Sequence, residues 1–144
     1  MEEQLESLLR GGQVNSLIDQ QAVNIREKYG LKRVDIEVLH YLARNPEKNT
    51  ARDIRRSLRI NKGYVSQIMD HLGKRGFIIA SPDQHDRRYT HYLVSEKTKE
   101  IVDETNRMWD SVGRIVFNGV TEEEQKVFRT VISKIEKNIM EMSD

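Results

Sequence analysis

Three stretches of this 144-residue chain predict a mainly α (α+β) fold: a helix-turn-helix, a two-stranded β-hairpin wing, and long flanking helices. From Thr50 to Gly76 two short amphipathic patterns follow each other across a turn of only a few residues. From Phe77 to Ser95 two β-branched and aromatic runs, FIIAS and YTHYLVS, flank the polar segment PDQHDRR. Both ends of the chain carry apolar stripes at helical spacing that exceed what a small central lobe can cover.

In chain order, Leu5, Leu8 and Leu9 and then Val14, Leu17, Ile18, Ala22, Ile25 and Tyr29 read as helix, stopped at Gly30. Gly11-Gly12 interrupts it; two adjacent glycines inside a helix cost roughly 1 kcal/mol each relative to Ala. A kink or break is expected there, with the main helix starting near Gln13. Val34 to Ala43 places Val38, Leu39 and Leu42 on one side, and Asn45-Pro46 closes this scaffold helix.

Thr50 followed by Asp53 makes a capping box, and Ala51, Ile54 and Leu58 form the stripe of a short helix. Asn61 is positioned to cap the next helix, whose core face is Val65, Ile68, Met69 and Leu72. Gly76 suits a left-handed stop. The opposite face carries Lys62, Tyr64, Ser66, Gln67, Asp70 and His71, groups able to read base edges. Pro82 and Asp83 favour a turn in the hairpin.

After the hairpin, Ile101, Val102, Thr105, Met108, Trp109, Val112 and Val116 predict a long helix ended by Gly119. A second capping box, Thr121 to Glu124, opens the last helix, where Phe128, Ile132, Ile135, Ile139 and Met142 follow a 4-3-4-3 spacing. A seam of that regularity implies a facing helix. The expected layout is one domain, 1–144, in which 1–31 and 96–144 are dimerisation helices and 32–95 form a DNA-binding lobe.

Net charge is only +1, so its distribution carries the information. Thr50 to His91 contains nine Lys/Arg against four Asp, and the rest of the chain 15 basic against 19 acidic residues. Positive charge is concentrated on the segment suspected of meeting nucleic acid. The absence of Cys removes disulfides, thiolate metal sites and thiol redox sensing. No apolar run approaches the ~20 residues of a membrane span, and no signal peptide is visible, so a cytoplasmic protein is expected.

These elements resemble the multiple-antibiotic-resistance regulator (MarR) family of winged helix-turn-helix repressors. The residues that carry the likeness are TARDIRRSL, NKGYVSQIMDHLGKRGFI and the wing signature Asp86-Arg87-Arg88, with Val94-Ser95-Glu96-Lys97 downstream. The family pattern of Asp-any-Arg continues with Leu-Thr and a Gly three residues later. Here Val94-Ser95 and Thr98 stand instead, which blurs where the wing ends. The resemblance spans nearly the whole chain in element order. It implies a homodimeric regulator, a repressor by family habit, whose terminal helices intertwine with those of a second subunit on double-stranded DNA.

A two-fold dimer would place two recognition helices in successive major grooves about 34 Å apart, on a pseudo-palindromic operator. Lys62, Tyr64, Ser66, Gln67 and His71 would face the groove, with Gln67 suited to a bidentate adenine contact. Thr50, Arg52, Arg55 and Arg75 would hold the phosphate backbone. Arg87 and Arg88 would sit at the wing tip, one of them in the minor groove, with Asp86 orienting a guanidinium. The alternative for the two arginines is a pair of exposed cations steadying an acidic turn.

The family's habit of binding small aromatic effectors, between dimerisation helices and DNA-binding lobe, puts Ile18, Ala22, Ile25, His40 and Met108 within reach by topology. His40 by itself reads as a partly buried structural residue, and Trp109, Met108, Met140 and Met142 as core. No enzyme, cofactor or metal is expected: there is no phosphate loop, nucleophile elbow or helical His-Glu-any-any-His. Asp83, His85, Asp86 and His91 lie on a hairpin without a supporting shell. From another class, the competing reading is a winged-helix module whose basic face docks an acidic protein.

Overall fold

The computed structural model describes residues 1–143, arranged as two units, Met1–Trp109 and a second beginning at Asp110. In the first, the elements run α1 (Glu3–Arg10), α2 (Gly12–Tyr29), α3 (Arg33–Arg44), α4 (Ala51–Leu58), α5 (Lys62–Lys74), β1 (Ile78–Pro82), β2 (Thr90–Val94) and a 3-10 turn (Glu96–Thr98). Helix α6 (Lys99–Val116) starts in the first unit, and α7 (Glu122–Ser143) belongs to the second. The strands form one antiparallel pair in which Ala80 faces Tyr92 and Ser81 faces His91.

The double glycine breaks the N-terminal helix as expected. Gly11 takes a left-handed conformation (φ 72°), its N–H bonds the Leu8 carbonyl, and α2 starts one residue earlier than expected, at Gly12. The core of the first unit joins Ile18, Ala22 and Ile25 of α2 to Ile36, Val38, Leu39 and Leu42 of α3, Ile54 of α4, and Val65, Ile68, Met69 and Leu72 of α5. Val38, Leu39, Ile54 and Leu72 have no accessible surface. Removing apolar area from water at about 25 cal/mol per Å² is what holds the short α4 against α5.

Both capping expectations hold in the helix-turn-helix. Thr50 N donates to Asp53 Oδ2 (3.1 Å) and Asp53 N to Thr50 Oγ1 (3.3 Å), while Asn61 Oδ1 accepts from Tyr64 N (2.8 Å). The turn between the helices rests on Arg59, a non-glycine residue in the left-handed region (φ 54°). Helix α5 is closed by Gly76 (φ 75°).

Pro82 lies in β1 rather than in the turn: it pairs with Thr90, and the reversal is made by the residues from Asp83 to Tyr89. The end of the wing is sharp despite the departures from the family pattern. Thr98 is fully buried and donates from Oγ1 to the Phe77 carbonyl (2.6 Å), and Ser95 Oγ donates to the Gly76 carbonyl (2.6 Å). Two hydroxyls therefore lash the wing's exit to its entrance.

In the second unit, the capping box at Thr121 is present: Thr121 N donates to Glu124 Oε2 (2.8 Å) and Glu124 N to Thr121 Oγ1 (3.1 Å). Phe117 meets Phe128 edge-on, with ring centroids 6.0 Å apart. No residue of α7 is buried. Phe128, Ile132, Ile135 and Ile139 are each more than a third exposed, and Met140 and Met142 stand in solvent rather than in a core. In the first unit, Leu5, Leu8 and Leu9 of α1 are about half exposed.

Candidate nucleic-acid interface

The N-terminal end of α5 opens onto a concavity of about 330 Å³ between the helix-turn-helix and the wing. Thr50, Ala51, Arg52 and Arg55 line it from α4, Lys62 and Val65 from α5, and Arg88, Tyr89, Thr90 and Tyr92 from the wing. Four cations and no acid line this surface. Helix capping makes the arrangement: the Thr50 and Asn61 caps fix where α4 and α5 begin, and Arg52 and Lys62 project from the first turns that result.

On another side of α5, Tyr64, Gln67, Ile68 and His71 line a shallower hollow of about 250 Å³ with Lys32 and Asp35. Tyr64, Ser66, Gln67 and His71 are all exposed. The expected groove-facing set is thus divided, Lys62 toward the wing and Tyr64, Gln67 and His71 toward the start of α3. Lys32 was missed by sequence reasoning, since a lone lysine before a helix carries no signal until the fold sets it beside Gln67. Tyr89 and Tyr92 carry only a strand signal in the sequence.

The wing turn is held by its acids. Asp86 takes a paired grip on Arg88, with Nη2 to Oδ2 at 2.8 Å and Nε to Oδ1 at 3.0 Å, and also accepts the Arg88 N–H (3.0 Å). That guanidinium holds the Asp86 carboxyl below its usual range. The expected orienting role of Asp86 falls on Arg88, whose side chain is otherwise in solvent, while Arg87 is exposed. Asp83 Oδ1 meets His91 Nε2 at 2.7 Å, and its Oδ2 accepts from the N–H groups of His85 and Asp86 (both 2.9 Å). These contacts, that with His91 first, hold its carboxyl down at about 2.

Two of the expected backbone-holding residues are committed elsewhere. Arg75 donates to the carbonyls of Tyr29 and Gly30 and lies 4.7 Å from the centre of the Phe77 ring, so its guanidinium joins α5 to the end of α2. Thr50 gives its hydroxyl proton to Asp53 Oδ2 (2.7 Å), which leaves it a cap rather than a free donor. Arg52 and Arg55 remain on the concave surface.

Of the five residues placed near an effector by topology, four are buried in packing and His40 lines a cavity. Ile18, Ala22, Ile25 and Met108 are buried in packing, 7% exposed at most, because the apolar stripes of α2 and α6 are satisfied within the lobe. His40 lines a cavity of about 430 Å³ with Tyr41, Arg44, Ser57, Leu58 and Trp109. Its ring stacks on Trp109 with centroids 6.3 Å apart, its Nε2 meets Asn106 Oδ1 at 3.0 Å, and burial pushes its pKa down. Trp109 is over a third exposed, wall rather than core. Among the described residues no three His, Asp or Glu converge as a metal site, and no helix is long and apolar enough to cross a membrane.

A helix presented at the surface by a shorter partner, with a basic wing beside it, defines a winged helix-turn-helix fold. Residues 29–88 match the MarR family model. A putative MarR-family transcriptional regulator from Listeria monocytogenes, solved with a 26mer DNA, superposes with a TM-score of 0.84 at 18% identity, over 96% of this chain and 90% of that one. A MarR protein from Peptoclostridium difficile gives 0.81 at 18% identity, covering 96% and 88%. MepR of S. aureus, solved in a DNA complex, gives 0.76 at 19% identity, covering 92% and 96%.

Proposed function

We propose that the protein binds a pseudo-palindromic operator as a homodimer and represses transcription there. The observation that carries this is the acid-free concavity where Arg52, Arg55, Lys62 and Arg88 meet at the start of α5. Phosphate neutralised by these cations would set the register, and Gln67, Tyr64, Ser66 and His71 would read the major groove. Arg87 and Arg88 would sit at the wing tip, one of them in the minor groove. Listeria and S. aureus relatives solved on DNA support the reading. The exposed stripes of α1 and α7 support a second copy as their cover. The role belongs in the cytoplasm, where such operators lie.

A small aromatic ligand that lowers operator affinity completes the proposal. PefR of Streptococcus agalactiae, a heme sensor solved with heme, resembles this chain with a TM-score of 0.58 at 22% identity, over 96% of this chain and 95% of that one. Such an effector must bind the released state more tightly, by the factor by which it weakens DNA binding. The cavity beside His40 and Trp109 is its candidate place.

The test is a fluorescence-anisotropy titration against duplexes tiling the protein's own upstream region, with scrambled controls, at two salt concentrations. Tile-specific binding that weakens steeply with salt is the expected result. Equal, weak binding to every duplex, unchanged after any bound ligand is removed, would favour the module that docks an acidic protein.

A further inference from the structure

An imidazole and a backbone hydrogen bond tie the wing to Asn49, just ahead of the helix-turn-helix. His91, on β2, directs Nδ1 at Asn49 Oδ1 (2.6 Å) and Nε2 at Asp83 Oδ1 (2.7 Å). The orientation of the Asn49 amide follows from its other bond. Its Nδ2 donates to the Pro46 carbonyl (3.0 Å), so the oxygen is the atom left facing the ring. Asn49 is 5% exposed, and its backbone carbonyl also receives the Tyr92 N–H (3.0 Å).

Neither Asn49 Oδ1 nor an ionised Asp83 can donate a proton. Both ring nitrogens must therefore carry hydrogen for both contacts to be attractive. A neutral ring has one bare nitrogen, whose lone pair would face an oxygen at 2.6 or 2.7 Å. We propose that His91, as an imidazolium, is the clamp that positions the wing for DNA, and that its deprotonation releases the wing and weakens binding as pH rises. The proposal rests on the DNA-binding reading for its consequence, but not for the clamp itself.

The contacts continue outward from the ring to the DNA-facing arginine. Asp83 Oδ2 holds the Asp86 N–H, and Asp86 grips Arg88. The other charged or titratable groups on elements packed against β2 are engaged or point elsewhere. On α4, Asp53 is bound by Thr50, Arg52 and Arg55 line the basic concavity and Arg56 is exposed. On α3, Arg33 pairs with Asp19 and Glu37, Asp35 accepts the Lys32 N–H, His40 meets Asn106, the Tyr41 hydroxyl donates to the Lys48 carbonyl, and Arg44 lines the cavity beside His40. His85, on the wing turn, is exposed and meets Asp83 through its backbone N–H. Among the described residues, Asp83 is the one carboxylate paired with the ring.

The sign follows directly. The clamp is closed while both ring nitrogens carry hydrogen and opens as rising pH removes one of them. Loss of one charge-assisted hydrogen bond corresponds to about a tenfold change in wing docking.

Two measurements on the full chain decide the matter. In ¹⁵N spectra of the imidazole, both His91 nitrogens should be protonated at the acid end, and Tyr92 amide protection should fall, beyond the intrinsic exchange rate, as the ring titrates. A neutral single tautomer throughout, or Tyr92 protection that ignores the titration, overturns the clamp whether or not DNA binds. On duplex DNA, the loss caused by Arg88→Ala should shrink about tenfold between the doubly and singly protonated forms of the ring in the wild type and stay level over the same pH series in a His91→Gln background. Comparing Arg88 variants at each pH removes the general effect of His71 and His85 losing charge. A loss independent of pH in the wild type overturns the link to DNA. Absence of duplex binding at every pH refutes the operator reading instead, and the spectra by themselves then uphold or overturn the clamp.

Discussion

The guanidinium of Arg75, beyond the last turn of α5, donates to the carbonyl oxygen of Gly30 at 2.7 Å and to that of Tyr29 at 2.5 Å. It satisfies carbonyls that the end of α2 leaves without helical partners. Arg75→Ala should therefore lower the stability of the fold by about 1 to 3 kcal/mol in denaturant unfolding. Its effect on duplex affinity should be no larger than that loss explains. A selective loss of DNA binding at unchanged stability would show the guanidinium serving phosphate instead.

Arg59 occupies a left-handed conformation that its Cβ disfavours by about 1 to 2 kcal/mol. Glycine removes that strain but adds freedom to the unfolded chain, costing about 0.4 to 1 kcal/mol. Arg59→Gly should consequently raise stability by up to roughly 1 kcal/mol, read as a higher melting temperature. A fall would mean that the exposed guanidinium contributes more than the strain takes away.

Ile132 and Ile135 lie one turn apart on α7, each more than a third exposed in the single chain. In the proposed homodimer Ile135→Asp should shift sedimentation from dimer to monomer, because a carboxylate buried without a partner costs several kcal/mol. The same substitution at Glu136, on another face, should leave the assembly intact. An unaltered dimer in Ile135→Asp would remove α7 from the interface.

Asp83 carries a pH limit on the acid side. Its carboxyl is held at about 2 in the folded chain against an ordinary 3.8, with the His91 hydrogen bond the largest cause and the His85 and Asp86 N–H groups next. A depressed folded-state value means stability fully present above the ordinary value and lost as pH falls through the folded one. The wing turn should loosen between about pH 4 and pH 2. Amide exchange at His85 and Asp86 should report this, and Asp83→Asn should abolish the dependence.

Most of the fold was legible because it rests on local rules. The Thr50 and Asn61 caps, the Gly11 break and the 3.6-residue stripes of α3 and α5 depend on neighbours three or four positions away, and such neighbours are visible in a string of residues. Pro82 misled because proline is as compatible with the end of an edge strand as with a turn. The candidate interface was legible in composition but not in commitment. Arg75 and Arg52 look alike in sequence, and only the 45 positions that separate Arg75 from Gly30 being folded together tell them apart.

By itself the sequence determined the kind of protein this is: the order of helices and hairpin, the surface helix Lys62–Lys74, the basic segment around it, and apolar stripes in excess of a single lobe. Periodicity and capping are short-range, so a linear reading recovers them. Tertiary structure alone decided which charges are free. It committed Arg75 to a helix end, paired Arg88 with Asp86, and closed Asn49, His91 and Asp83 into a clamp across 42 positions. Hydrogen bonds and ion pairs act over a few ångströms of space, and the folded core sets which residues come within that reach.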